Sequence, residues 1–203
     1  MFYETRNHHG LKHDPFKSLV VPRPIGWVST QDSAGVVNLA PYSFFNAVAS
    51  EPPIVMFSSN GAHREGPYKD SAHNVRETGE FVCNLAVWEL REQMNRTSAM
   101  VERAVNEFEL AGLTPIPSRL VKPPRVAESP VHLECVHITT VELPATNPER
   151  PNLTVFGEVI GIHIDERIIK DGMIDMEVFK PIARLGYFDY TVVERIFTMK
   201  RPD

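Results

Sequence analysis

Seventeen prolines and eleven glycines are spread along the 203 residues instead of being gathered in one linker, and this spacing argues against a fold built on long helices. Each proline lacks an N–H and fixes φ, so it ends or kinks a helix and is confined to an edge, a bend or the first residue of a strand. Short strands joined by turns meet that constraint best. The expected fold is an all-β-dominated barrel with a few helices. With 42% hydrophobic residues the chain can bury a full core, and one domain over 1–203 with an irregular N-terminal arm over about 1–17 is expected.

β-Branched and aromatic enrichment marks the strands. SLVVPRPIGWVST (18–30), IVMFSS (54–59), EFVCNLAV (80–87), VHLECVHITTVEL (131–143) and NLTVFGEVIGIHID (152–165) read as strands, the last two pairing across PATNPERP. QDSAG reads as a turn closed by Gly35. One helix is well signalled: Asp70 as cap, SAHNVRET as body and Gly79 as the left-handed exit. A second is expected over 89–100, with Leu90 and Met94 sharing a face. The prolines of LTPIPS and VKPPRV leave 101–128 as a long irregular connection.

NLAPYSFFNAVASEPPIVMFSS (38–59) mixes prolines, paired phenylalanines and serines in one apolar region. Pro41 and Pro52-Pro53 stiffen it, so it reads as a loop or irregular strand forming a preorganised wall. Neighbours on an extended chain point to opposite sides, so one of Phe44 and Phe45 anchors in the core while the other, with Tyr42 or Asn46, faces a cavity. Backbone N–H groups along such a wall suit the polar edge of a flat ring; a plain core strand with a proline turn would have the same composition. Downstream, Ser58, Ser59, His63, Arg64 and Lys69 precede a helix start and offer a phosphate hydroxyls, cations and a positive helix end. Solvated loop ends carry the same residue types.

Several function classes are set aside. The formal net charge is −5 and no long Lys/Arg run exists, which argues against a nucleic-acid or membrane-surface role. No apolar run approaches about 18 residues, and MFYETRNHHGLKHD lacks a leader pattern, so a soluble, cytoplasmic protein is expected. Cys83 and Cys135 lie in apolar stretches and read as small buried hydrophobes. His8, His9 and His13 read as exposed arm residues, and His132 and His137 have opposite strand parity, so no metal site is expected. Phosphate-loop, dinucleotide-binding and nucleophile-elbow motifs are missing.

The order PRPIGWVST, then NLAPYSFFNAVASEPPIVMFS, then KDSAHNVRETGEFVCNLA resembles the flavin reductase-like family with the FMN-binding split-barrel fold. GEVIGIHID and PIARLGYFDY are similar to its later strands. The resemblance implies a Greek-key split barrel, a homodimer with FMN near the subunit interface, and hydride transfer from NADH or NADPH. Electrons would pass through FMN to free flavin, a ferric chelate, another small-molecule acceptor or a redox partner protein. It places flavin contacts on Ser29, Thr30, Tyr42, Ser43, Phe44, Phe45 and Asn46, and on Ser58, Ser59, Lys69, Asp70 and Ser71, with Arg64 as a further cation. Ser71 stands where many relatives have threonine. His163 resembles a histidine beside the nicotinamide, and a strand histidine bonded to backbone is the alternative. No catalytic acid or base is obligatory, because the cofactors carry the reaction. Two other classes stay open: an FMN electron carrier reduced by a partner protein, and a ligand-binding barrel without flavin.

Overall fold

Seven antiparallel strands form the main sheet of the computed structural model, which describes residues 1–202. They are β1 (Gly26–Gln31), β2 (Val37–Tyr42), β3 (Phe45–Ser50), β4 (Pro53–Asn60), β5 (Glu80–Leu85), β6 (Val131–Leu143) and β7 (Asn152–Ile164), in the order β2-β1-β5-β6-β7-β4-β3. The two edge strands are consecutive in the chain. The Ser58 N–H donates to the Phe44 carbonyl at 2.8 Å, which carries the β3–β4 pairing one step beyond the start of β3. A C-terminal pair, β8 (Ile182–Gly186) and β9 (Asp189–Val192), builds a small second sheet with Arg23–Pro24.

β6 and β7 form the expected hairpin, with register shifts at Phe156/Gly157 and Val159/Gly161. Two apolar clusters lie on opposite faces of the sheet. One gathers Val28, Tyr42, Phe45, Phe57, Phe81 and Val155 with Ala72 and Val75 of helix α1 (Asp70–Thr78). The other gathers Trp27, Leu39 and Ile182 under α2 (Arg91–Arg96) and α3 (Glu107–Ala111), which contribute Met94 and Phe108. Packing on both faces explains why β1 and β5 are buried along most of their length without alternation, their buried Ser29, Thr30 and Asn84 included.

Four local expectations need correction. Residues 18–30 are not one strand: Phe16–Leu19 is a helical turn and the long strand begins at Gly26. The 38–53 region is not a loop but mostly two strands, and the expected irregularity is confined to a register shift between Ala47 and Ala49; Pro41 is accommodated because β2 is an edge, and Pro53 starts β4. Residues 101–128 contain α3, capped by the Asn106 side chain. Asp70 is not the cap of α1 but its first residue, after Lys69 in an extended conformation. Gly79 does close that helix, at φ 77°. Among the described residues no helix is long and apolar enough to cross a membrane.

Candidate functional site

The site grows from a buried polar cluster where β1, β2 and α1 meet. Thr30 Oγ1 accepts from Asn38 Nδ2 at 3.2 Å and from Asn74 Nδ2 at 3.1 Å, and Asn38 also donates to Ser71 Oγ at 2.9 Å. Tyr42 lies within this cluster with its hydroxyl beside Ser71 and Ser59. Burial pushes the Tyr42 phenol up, and the two serines only partly offset that, so the phenol stays protonated. Ser59 Oγ is buried and meets no partner at full hydrogen-bond geometry.

Above this floor opens a cleft lined by Pro41, Tyr42, Lys69, Asp70 and Glu107 and closed on its far side by residues 97–101. Asp70 holds that far wall: Oδ1 lies 2.9 Å from Arg103 Nε and Oδ2 3.8 Å from His63 Nε2. His63 in turn reaches the Val101 carbonyl at 2.9 Å. Burial raises the Asp70 pKa, opposed by His63 and Arg103. Lys69 is half-buried at the mouth, and its pKa is lowered, first by burial and then by the charges of Arg150 and Lys17.

The expected site residues divide sharply. Tyr42, Ser59, Lys69, Asp70 and Ser71 come together. Ser58 does not join them: it projects to the other face of β4 and bonds Thr154 Oγ1 at 2.9 Å. Ser29 is fully buried, and its hydroxyl donates to the Pro124 carbonyl at 2.5 Å; it ties the 121–126 segment to the sheet. Thr30 is also fully buried and reaches Ser71 only through Asn38. Phe45 is the core member of its pair, packed so closely that a Cβ on Gly26 would lie 2.5 Å from its ring. Ser43 and Phe44 are half-buried at the surface, with the Arg23 guanidinium 5.6 Å above the Phe44 ring. Asn46 is exposed and its Oδ1 accepts the Ala47 N–H at 3.0 Å.

The charges acting on Lys69 are Arg150 and Lys17, while Arg64 is exposed in its loop. The sequence reading missed both. Arg150 sits in the PATNPERP turn and Lys17 in the N-terminal arm, and nothing local to either points at residue 69.

His163 lies nine residues beyond Thr154 on β7, roughly 30 Å along the strand at the usual rise. Within one protomer it is therefore not part of the cleft. Its Nε2 is 2.5 Å from Glu134 Oε1, so its partner is a carboxylate rather than backbone. Its ring meets His132 edge-on at 5.9 Å. Burial drives His132 down to about 4, against a hydrogen bond to the Val126 carbonyl, so His132 is neutral at physiological pH. Among the described residues no group of three or more His, Cys, Asp or Glu is arranged to hold a metal ion.

Glu107 accepts the Leu39 N–H at 3.1 Å, and burial pushes it up to about 7 even though that amide partly offsets the shift. A carboxyl with a raised folded pKa contributes stability that is fully present below its unfolded value and lost as pH rises through the folded one. Wild-type stability should therefore fall between pH 4.5 and about 7, by about 2 kcal/mol after discounting for partial solvent access. Glu107→Gln should be flat over that window. Equal slopes in urea titrations of the two proteins at pH 4.5 and 7.5 would reject this account.

Comparison with known proteins places these features in context. A family model described as "Flavin reductase like domain" matches residues 18–188. An uncharacterized protein of Aquifex aeolicus (strain VF5) is 42% identical over 169 residues, 83% of this chain and 83% of that protein. The crystal structure of nitrilotriacetate monooxygenase component B from Bacillus cereus superposes with a TM-score of 0.88 at 32% identity, covering 98% of each chain. Flavoredoxin of Desulfovibrio vulgaris (Miyazaki F) shares the fold, with a TM-score of 0.76 at 19% identity over 98% of this chain and 97% of that one.

Proposed function

Because the chain belongs to the flavin reductase-like domain family, we propose that it holds FMN in the cleft between Tyr42 and Lys69 and works as an NAD(P)H-dependent oxidoreductase. One observation carries this reading: a protonated phenol, Tyr42, and a half-buried cation, Lys69, line the same cleft, with the buried Ser59 hydroxyl beside the phenol. Lys69 would meet the phosphate, and Tyr42 and Ser59 would supply hydrogen bonds to polar atoms of the ligand. When bound, FMN supplies the hydride-accepting and electron-passing chemistry. The wall at 97–101, braced by Asp70–Arg103 and His63, keeps water from one side of the cleft.

The protein is further proposed to be a homodimer acting in the cytoplasm on a small-molecule acceptor or redox partner. Ile160, Ile162 and Ile164 alternate along β7 and are 38%, 57% and 42% exposed, an apolar stripe that a second copy would cover. His163 has the opposite strand parity to that stripe, so it remains a candidate nicotinamide contact only for a ligand that reaches its own face of β7.

Two measurements test the reading. Apoprotein titrated with FMN should bind it, and anaerobic addition of NADH or NADPH should bleach the flavin promptly; an unchanged oxidised spectrum would point instead to an electron carrier. Lys69→Ala should weaken FMN by about 10- to 100-fold and riboflavin far less, because one charge-assisted bond is worth about 1.5–3 kcal/mol. Equal losses for the two flavins would reject the phosphate placement.

A further inference from the structure

We propose that the groove between α2 and the β8–β9 hairpin is a second ligand site, which takes an uncharged planar ring of the quinone class and holds it beside the flavin cleft as electron acceptor. The site is read from this chain's own side chains, and its role as acceptor site rests on the flavin reading above.

Shared walls join the groove to the cleft. Pro41 and Ser98 line both the cleft and a neighbouring hollow, and Asn95, Arg184, Phe188 and Tyr190 line that hollow together with the groove against α2. Met94 and Ile182, both buried in the apolar cluster beneath α2, also line the groove, so the core braces it from below.

Folding leaves three aromatic side chains around the groove uncovered: Trp88 is 45%, Tyr190 37% and Phe188 91% exposed. Clustered large apolar side chains in water mark a contact surface. The hairpin turn holds Phe188 there. Tyr187, a residue other than glycine, takes φ 44° directly after Gly186 at φ 106°, and its carbonyl accepts from Arg184 Nη2. Such a backbone conformation persists only where its surroundings over-determine it, and it gathers at binding sites.

Charge and hydrogen bonding select the ligand class. Arg91 and Arg184 are balanced in the groove by Glu92 and Glu194, and both guanidinia are already engaged. Arg91 lies 3.9 Å above the Trp88 ring, donates to the Trp88 carbonyl at 2.8 Å and stands 3.7 Å from Glu92. Arg184 lies 4.4 Å above the Tyr190 ring and donates to the Tyr190 hydroxyl and the Tyr187 carbonyl. An anion thus meets no unpaired cation among the described residues of the groove, whereas a flat neutral ring meets aromatic edges and faces to pack on. Because the Tyr190 oxygen accepts from Arg184, its own O–H is left to donate outward, and a ring carbonyl is the matching acceptor. A quinone meets both demands. Its conversion to the hydroquinone takes two electrons and two protons; NAD(P)H gives both electrons with one proton, water gives the other proton, and NAD(P)+ is released.

Menadione titrated into the full chain, with and without FMN, tests this through tryptophan emission. Of the two tryptophans, Trp27 is fully buried and Trp88 lines the groove. Quenching should saturate, and Trp88→Phe should remove most of it. Phe188→Ala should weaken menadione about 3- to 10-fold with the melting temperature near wild type, and Tyr190→Phe, which keeps the ring and loses the O–H, should weaken it comparably. In FMN-loaded protein the menadione half-saturation of NAD(P)H oxidation should rise by the same factor in Phe188→Ala. A naphthoquinone sulfonate should bind no tighter than menadione. Unsaturable quenching, or a Phe188→Ala curve identical to wild type, overturns the site, and a preference for the sulfonate overturns the ligand class. Wild-type protein that takes up no FMN overturns the flavin reading and the acceptor role with it, while the ring site is decided by the quench alone.

Discussion

Glu134→Ala is expected to destabilise the protein by about 3–5 kcal/mol, the scale for removing one partner from a buried charge network. Glu134 is fully buried. Its carboxylate accepts the Arg119 N–H at 2.8 Å and the Leu120 N–H at 2.6 Å, and it meets His163 Nε2 at 2.5 Å. Truncation leaves two backbone donors without an acceptor and opens a void. At about 2–4 °C per kcal/mol for a chain of this size, melting should fall by about 6–20 °C.

The pH dependence has a definite sign. Burial alone raises the Glu134 pKa, but the amides of Arg119 and Leu120 together with His163 more than offset it, and the net shift is downward. A depressed carboxylate contributes stability above its unfolded value, 4.5, and loses it as pH falls through the folded one. The gap between wild type and Glu134→Gln should therefore be widest near neutrality and narrow in acid. An alanine variant that melts within about 2 °C of wild type at pH 7 would show that the network contributes little.

The second large effect lies in the barrel core. Gly157 sits at a register shift of β7, and a Cβ there would lie 2.4 Å from two carbons of the Phe81 ring and 3.2 Å from the Val136 carbonyl. Phe81 is fully buried and meets Phe57 edge-on at 5.5 Å, so it has no free side to move to. Gly157→Ala should cost about 1–3 kcal/mol through overpacking, and Phe81→Ala about 3–5 kcal/mol through the cavity it leaves. The two changes should couple: Phe81→Leu should relieve part of the Gly157→Ala penalty. A double variant whose loss in urea midpoint is the sum of the single losses would disprove the clash.

The same close approach explains a failure of local reading. Gly157 and Gly26 look like weak points in strands when only propensity is considered. Each is required because an aromatic ring from another strand occupies the space its side chain would need. Likewise, Pro41 and Pro52-Pro53 looked incompatible with regular strands, yet the edge position of β2 and the start of β4 accommodate them.

The sequence by itself determined the β-dominated architecture, the 131–143/152–164 hairpin, the turn out of α1 at Gly79 and the buried pair Leu90 and Met94. Three motif segments in order also carried the family, whose model matches residues 18–188. These features are written in neighbouring residues, through strand period, helix spacing and the φ values that proline and glycine permit. Only the tertiary structure decided that Phe45 rather than Phe44 is core and that Ser59 rather than Ser58 faces Tyr42. It also left Arg64 exposed in its loop and put His163 at the far end of its strand. Those outcomes depend on how strands pair and where loops return. A one-residue shift in register turns every side chain to the other face, and no stretch of local sequence encodes which distant cation will arrive.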